Sequence, residues 1–219
     1  MIVDFSFDGK FVLLVGGGSE AYNKALNFID AGSKVLVVSR NFSNDILKLH
    51  EAKKILIQKT EVKNGEEFIR NLKPKPDLLA LATSNHELNA ILAREAKSAG
   101  LMVYVADNPA ISDFILPAVA RIGDVRVAIS TNGKSPAMAK ILRQRVEKLI
   151  TQEDLLHIKL QESMRAVLKE RIVNQKVRKK ILYTILEDEK VNGLLKEGNL
   201  DEAQKVAMKI MESSEEEKQ

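Results

Sequence analysis

Cysteine and tryptophan are both missing from this chain. Without cysteine there are no disulfides, no thiolate metal sites and no thiol nucleophile. Without tryptophan, and with only 3 tyrosines and 7 phenylalanines, a base-stacking platform for nucleic acid is not expected. Histidine is scarce too: His50, His86 and His157 share no metal-ligand spacing and read as surface or helix-capping residues, so no metal ligand is assigned. No apolar run approaches the length of a membrane span. The start, MIVDFSFDGK, lacks the basic and apolar pattern of a signal peptide. Charge of one sign is not segregated: the formal net charge is +4, with basic and acidic residues interleaved. That balance predicts a soluble, cytoplasmic protein with neither a nucleic-acid nor a membrane partner.

What is present is organised around residues 11–21, FVLLVGGGSEA. Phe11 to Val15 is an apolar β-type run, three glycines follow, and a helical pattern covers about Glu20 to Ala31. Strand, glycine turn and helix are the opening of a dinucleotide-binding βαβ unit. Gly16 suits the tight turn, Gly17 continues it, and Gly18 lets the backbone approach a pyrophosphate. Ala21 takes the third position, where a small side chain lets the helix pack on the sheet. Ser19 and Glu20 open a helix whose free N–H groups and dipole end would face the phosphates.

The remaining pattern alternates. Strands are predicted at Lys34–Val38, Lys54–Ile57, Asp77–Ala82 and Leu101–Val105. Helices are predicted at Asn44–Ala52, Gly65–Leu72 and Glu87–Ala99. This implies a Rossmann-like parallel sheet with right-handed crossovers, an α/β fold. The pattern then changes. Phe114–Ile122 and Val125–Ser130 read as an antiparallel pair around a Gly123-Asp124 turn. Ser135-Pro136 starts a helix running to about Ile150. From Thr151 the chain is helical: Thr151 with Asp154 approaches a capping box, and Leu156, Leu160, Met164, Val167 and Leu168 recur at helical spacing. Further helices are predicted over 175–187, 190–196 and 201–211, with the closing SSEEEKQ frayed. The basic run KVRKK (176–180) reads as a solvated helix face.

Four stretches carry a resemblance to a known family: VLLVGGGSEAYNKA (12–25), LATSNHELN (81–89), VYVADNPAISDFILPA (103–118) and VAISTNGKSPAMAKILRQRVE (127–147). The chain resembles the dehydrogenase/ferrochelatase module of siroheme synthase, the precorrin-2 dehydrogenase family, over about residues 8–150. The resemblance implies an NAD-binding Rossmann domain (1–112), a small dimerisation region with exchanged strands (113–150) and a helical C-terminal domain (151–219). It implies oxidation of precorrin-2 to sirohydrochlorin with NAD⁺, a homodimer, and in some members insertion of Fe²⁺ as a second substrate to give siroheme. The longer bacterial enzymes add a methyltransferase domain, for which this chain is too short.

The family's acid/base aspartate falls on Asp107. Its place just beyond a parallel strand, at the mouth where such sheets bind ligands, suits a proton acceptor; on the residues alone, Asp107 could equally open the turn before Pro109. Ser130, Thr131, Asn132, Gly133, Lys134 and Ser135 combine small polar groups, a cation and a helix N-terminus. They could cradle the carboxylates of the tetrapyrrole substrate, or simply cap the helix. Thr83, Ser84 and Asn85 could bond the cofactor's ribose or nicotinamide, or cap the following helix. The acid that usually binds the ribose 2′-hydroxyl, roughly twenty residues beyond the glycines, is replaced by Ser39-Arg40-Asn41. Arg40 suits a 2′-phosphate and NADP⁺, whereas the resemblance implies NAD⁺. Two other readings stay open: a nucleotide-sensing regulatory module, and an NADP-linked dehydrogenase of another small metabolite.

Overall fold

A computed structural model describes residues 2–216. The chain divides after Leu116 into two compact units.

In the first unit, β1 (Phe11–Val15), β2 (Lys34–Ser39), β3 (Leu56–Lys59), β4 (Leu78–Leu81) and β5 (Met102–Val105) form a parallel sheet in the order β3-β2-β1-β4-β5. Between them run α1 (Ser19–Asp30), α2 (Asn44–Glu51), α3 (Gly65–Arg70) and α4 (His86–Ser98). The central strands are apolar on both faces because both faces are covered. Val12, Leu14, Leu78 and Ala80 pack with Ala21, Ala25 and Phe28 of α1 and Ile46 of α2. Leu13, Val15, Leu79 and Leu81 pack with Ile69 of α3 and Leu92, Ala93 and Ala96 of α4. Each fully buried leucine contributes about 1.5–3 kcal/mol of transfer free energy.

Two strand expectations need correction. β3 begins at Leu56 rather than Lys54, because its pairing with β2 sets Leu56 opposite Leu36 and carries on to Lys59. The strand expected from Phe114 begins only at Ala118. Phe114 and Leu116 pack onto the core of the parallel sheet, with the Phe114 ring 5.6 Å from that of Tyr104. Pro117 has no N–H to continue a ladder.

The second unit opens with an antiparallel hairpin, β6 (Ala118–Ile122) and β7 (Val125–Ile129), turning at Gly123 with φ +54°. α5 (Pro136–Leu149) follows, capped by Ser135. Then come α6 (Gln152–Arg171), α7 (Gln175–Glu187), α8 (Glu189–Lys196) and α9 (Leu200–Glu216). Leu156, Leu160, Met164 and Leu168 form one stripe of α6 and pack with Ile181, Ile185, Val191, Leu195, Ala203, Ala207 and Met211. The fraying expected from Ser213 is not seen as far as Glu216: the Ser213 and Ser214 hydroxyls donate to the carbonyls of Lys209 and Ile210. Residues 217–219 of that segment lie outside the described residues. Within the basic run, Lys176, Lys179 and Lys180 are exposed, but Arg178 turns inward and donates to the carbonyls of Ile172 and Val173 at 2.6 and 2.9 Å, closing the end of α6. Among the described residues, no helix is long and apolar enough to cross a membrane.

Candidate active site

The order β3-β2-β1-β4-β5 makes the chain reverse direction across the sheet at β1 and β4. Open parallel sheets bind ligands at such a switch point, outside the carboxyl ends of the strands. A cavity of about 920 Å³ lies there. Its walls include Gly16, Gly17, Gly18, Ser19, Glu20, Ser39, Arg40, Thr83, Ser84, Asn85 and Asp107. Ala21 sits behind the wall, fully buried where α1 meets the sheet.

The glycine turn is shaped by its neighbours. Gly16 has φ +132°, and a β-carbon there would lie 2.4 Å from the Ala82 carbonyl oxygen. At Gly17 a β-carbon would lie 2.0 Å from the carbonyl oxygen of Asn41. At Gly18 nothing stands within 4 Å. Gly18 is also the N-cap of α1, and no side chain caps that helix, whereas Ser43, Asn64 and Asn85 cap α2, α3 and α4. A helix start without a side-chain cap, behind a turn free of side chains, fits a pyrophosphate.

Two charged residues close the cavity's rim beyond β2 and β3. Arg40 Nη1 lies 3.3 Å from Glu61 Oε1, and both residues line the cavity. Glu61 carries no signal in the sequence, because it follows β3 rather than β2, where the usual acid stands.

Past β5 the chain turns through a 3₁₀ segment at Pro109–Ile111. Asn108, not Asp107, holds that turn: its side-chain oxygen accepts from the Ala110 N–H at 3.2 Å. Ser112 Oγ accepts from the Val105 N–H at 2.8 Å and ties the turn back to the strand. The Asp107 carboxylate is thereby left to face the cavity, its side chain 27% exposed. Its Oδ2 is hydrogen-bonded to His86 Nδ1, and its Oδ1 accepts from Asn89 Nδ2 at 3.3 Å. His86 is the first residue of α4 and Asn89 lies one turn on. His86 is therefore not merely a surface histidine. Thr83 donates to Asn89 Oδ1 at 2.7 Å, and Asn85 caps α4 by accepting from the Leu88 N–H at 3.0 Å. The Asn85 side-chain oxygen is thus engaged in capping.

Residues 130–135 belong to the second unit. Asn132 and Gly133 have φ +52° and +76°, and Thr131 Oγ1 accepts from the Ser135 N–H at 3.1 Å. Ser130 Oγ accepts from the Asn132 N–H at 3.2 Å, while Ser135 Oγ caps α5 by accepting from the Met138 N–H at 3.2 Å. Lys134 is exposed at the loop's tip. Among the described residues, no group of three or more His, Asp or Glu is placed to hold a metal ion.

Two family models match the chain. One, described as "Putative NAD(P)-binding", covers residues 3–118; the other, sirohaem biosynthesis protein central, covers residues 123–149. A precorrin-2 dehydrogenase of Methanosarcina barkeri is 32% identical over 192 residues, 87% of this chain and 84% of that protein. Siroheme synthase 1 of Aeromonas salmonicida is 31% identical over 91% of this chain, which spans 42% of that longer protein. Among solved structures, a precorrin-2 dehydrogenase, SirC, superposes with a TM-score of 0.74 at 22% identity, over 95% of this chain and 99% of that one. At that identity the likeness concerns the fold.

Proposed function

The chain belongs to the precorrin-2 dehydrogenase family, and on that premise we propose that it oxidises precorrin-2 to sirohydrochlorin with NAD⁺. The observation that carries this reading is that the glycine turn and the Asp107 carboxylate line one cavity. The reaction is precorrin-2 + NAD⁺ → sirohydrochlorin + NADH + H⁺, so a hydride and a proton both leave the macrocycle. Bound NAD⁺ supplies the hydride acceptor.

The rest is the work of the chain's own residues. Gly16–Gly18 and the uncapped start of α1 hold the phosphates. Thr83, Ser84 and Asn85 line the same wall, the Asn85 amide turned toward its helix. The Asp107 carboxylate takes the proton that leaves with the hydride. Its hydrogen-bonded neighbour His86 is 79% exposed and can pass the proton on to water. The loop 130–135, with Lys134 at its tip, receives substrate carboxylates.

NAD⁺ is proposed over NADP⁺ because Arg40 is paired with Glu61. A carboxylate beside the guanidinium weakens the positive charge that a 2′-phosphate would need, which supports this reading. Residues 113–150 are proposed as a dimerisation region between the nucleotide domain (1–112) and the helical domain (151–219). In support, α5 buries only Ala139 of its 14 residues and leaves Met138, Ile141 and Leu149 exposed.

The test is incubation of the protein with precorrin-2 and NAD⁺, read by the sirohydrochlorin spectrum. Asp107→Ala is expected to abolish turnover while nucleotide still binds. Unchanged turnover in that variant removes Asp107 from the mechanism. Tight NAD(H) binding with no tetrapyrrole turnover in the unaltered protein would favour a nucleotide-sensing role. Sirohydrochlorin and Fe²⁺ given to the same protein test the second activity: siroheme formed faster than in buffer adds it, and a rate equal to buffer confines the protein to oxidation.

A further inference from the structure

We propose that Asn89 is a positioning residue that fixes the direction of the Asp107 carboxylate. The proposal rests on the reading of Asp107 as the base.

Asn89 is 1% exposed and is the one buried polar residue among those described. An amide so placed costs stability unless it is hydrogen-bonded, and here every bond leads toward the cavity wall. The Thr83 hydroxyl donates to its Oδ1 at 2.7 Å. Its Nδ2 donates to the Thr83 carbonyl at 3.1 Å and to Asp107 Oδ1 at 3.3 Å. The orientation of the amide follows from chemistry. A backbone carbonyl only accepts, so the atom facing the Thr83 carbonyl must be the nitrogen. With one N–H held there, the other points at Asp107.

This donor holds Oδ1 and so restrains rotation of the carboxylate. The remaining oxygen, Oδ2, meets His86. The other ionisable groups lining the cavity are Glu20 on α1, Arg40 beyond β2 and Glu61 beyond β3. Glu20 is paired with Lys24 and Arg40 with Glu61. Asn89 thus ties the loop after β4 to the loop after β5 and links the cavity wall to the base.

The experiment uses the full chain as wild type, Asn89→Ala and Asn89→Ser. Three measurements are made on each protein: kcat and KM for precorrin-2 with NAD⁺, NAD⁺ affinity, and the direction of the Asp107 carboxylate in crystals. Asn89→Ala removes the donor, so the carboxylate is expected to turn from its wild-type direction. A misdirected base should lower kcat about tenfold or more, with KM and NAD⁺ affinity within about twofold of wild type. Asn89→Ser should act in the same direction, and it keeps the proposal testable if Asn89→Ala does not fold. A fall in kcat with the carboxylate unmoved makes Asn89 merely structural and overturns the proposal. Unchanged kcat also overturns it. If the wild type does not oxidise precorrin-2, the functional reading fails, and the direction of the carboxylate alone decides the role of Asn89.

Discussion

A methyl group on Gly17 would lie 2.0 Å from the Asn41 carbonyl oxygen and 2.7 Å from Ser39 Oγ, while one on Gly18 would meet nothing within 4 Å. The two substitutions therefore separate folding from binding. Gly17→Ala is expected to lower thermal stability by about 1–3 kcal/mol, since the β2–α2 connection must shift. Gly18→Ala meets no clash, so it should cost only about the 0.5–1 kcal/mol of a poorer helix N-cap, but weaken NAD⁺ binding by about tenfold, ~1.4 kcal/mol, because the methyl fills the space a pyrophosphate needs. Calorimetric melting and nucleotide titration check both. Glu61 makes a second residue-level test. Its exposed pair with Arg40 adds little to stability, but it sets the charge at the rim. Glu61→Gln frees the guanidinium, so affinity for NADP⁺ relative to NAD⁺ should rise several-fold. An unchanged ratio in parallel titrations contradicts the assignment.

Among the elements, α6 shows how a cap couples to pH. The Thr151 backbone N–H and hydroxyl both donate to Asp154 Oδ2, at 2.7 and 2.8 Å, and the Asp154 N–H returns a bond to the hydroxyl. The backbone bond first, then the hydroxyl, holds the Asp154 carboxyl below its ordinary value of 3.8. A carboxyl lowered in the folded state stabilises the fold fully above that ordinary value. The contribution is lost as pH falls below 3.8 through the folded value. Thr151→Ala should cost about 1 kcal/mol at neutral pH. The difference in melting temperature between wild type and Asp154→Asn should shrink as pH drops below 3.8. Elements with such local signals were legible in the sequence: Ser43, Ser135-Pro136 and Thr151 mark helix starts within a residue. β6 was not legible at its start, because only tertiary packing pulls Phe114 and Leu116 onto the parallel sheet.

For the whole molecule, the sheet order explains which parts of the site could be read in advance. Glycines after β1 and an aspartate after β5 are far apart in sequence, yet the order β3-β2-β1-β4-β5 sets both strand ends at one mouth. Alternating strands and helices were enough to expect that. Asn89 was hidden, because one polar residue per helical turn is ordinary helix surface until the fold turns it inward. His86 does lie at the surface, 79% exposed, and only the fold brings Asp107 within its reach. The proposed dimer belongs to this scale as well. Ile141 is 44% exposed and Leu149 71%, on a helix that buries one residue. Light scattering at micromolar concentration is expected to give twice the chain mass, and Ile141→Glu to shift it toward one chain mass. A wild-type monomer contradicts the assignment of residues 113–150.

Asp107 and the glycine turn serve one reaction, the first on precorrin-2 and the second on NAD⁺. The most direct measurement is an anaerobic single turnover of precorrin-2 with NAD⁺, counting NADH and sirohydrochlorin together. The wild type should form one NADH per sirohydrochlorin, and Asp107→Asn neither, although both proteins bind NAD⁺ alike. Sirohydrochlorin formed without NADH, or at the same rate in Asp107→Asn, contradicts that reading.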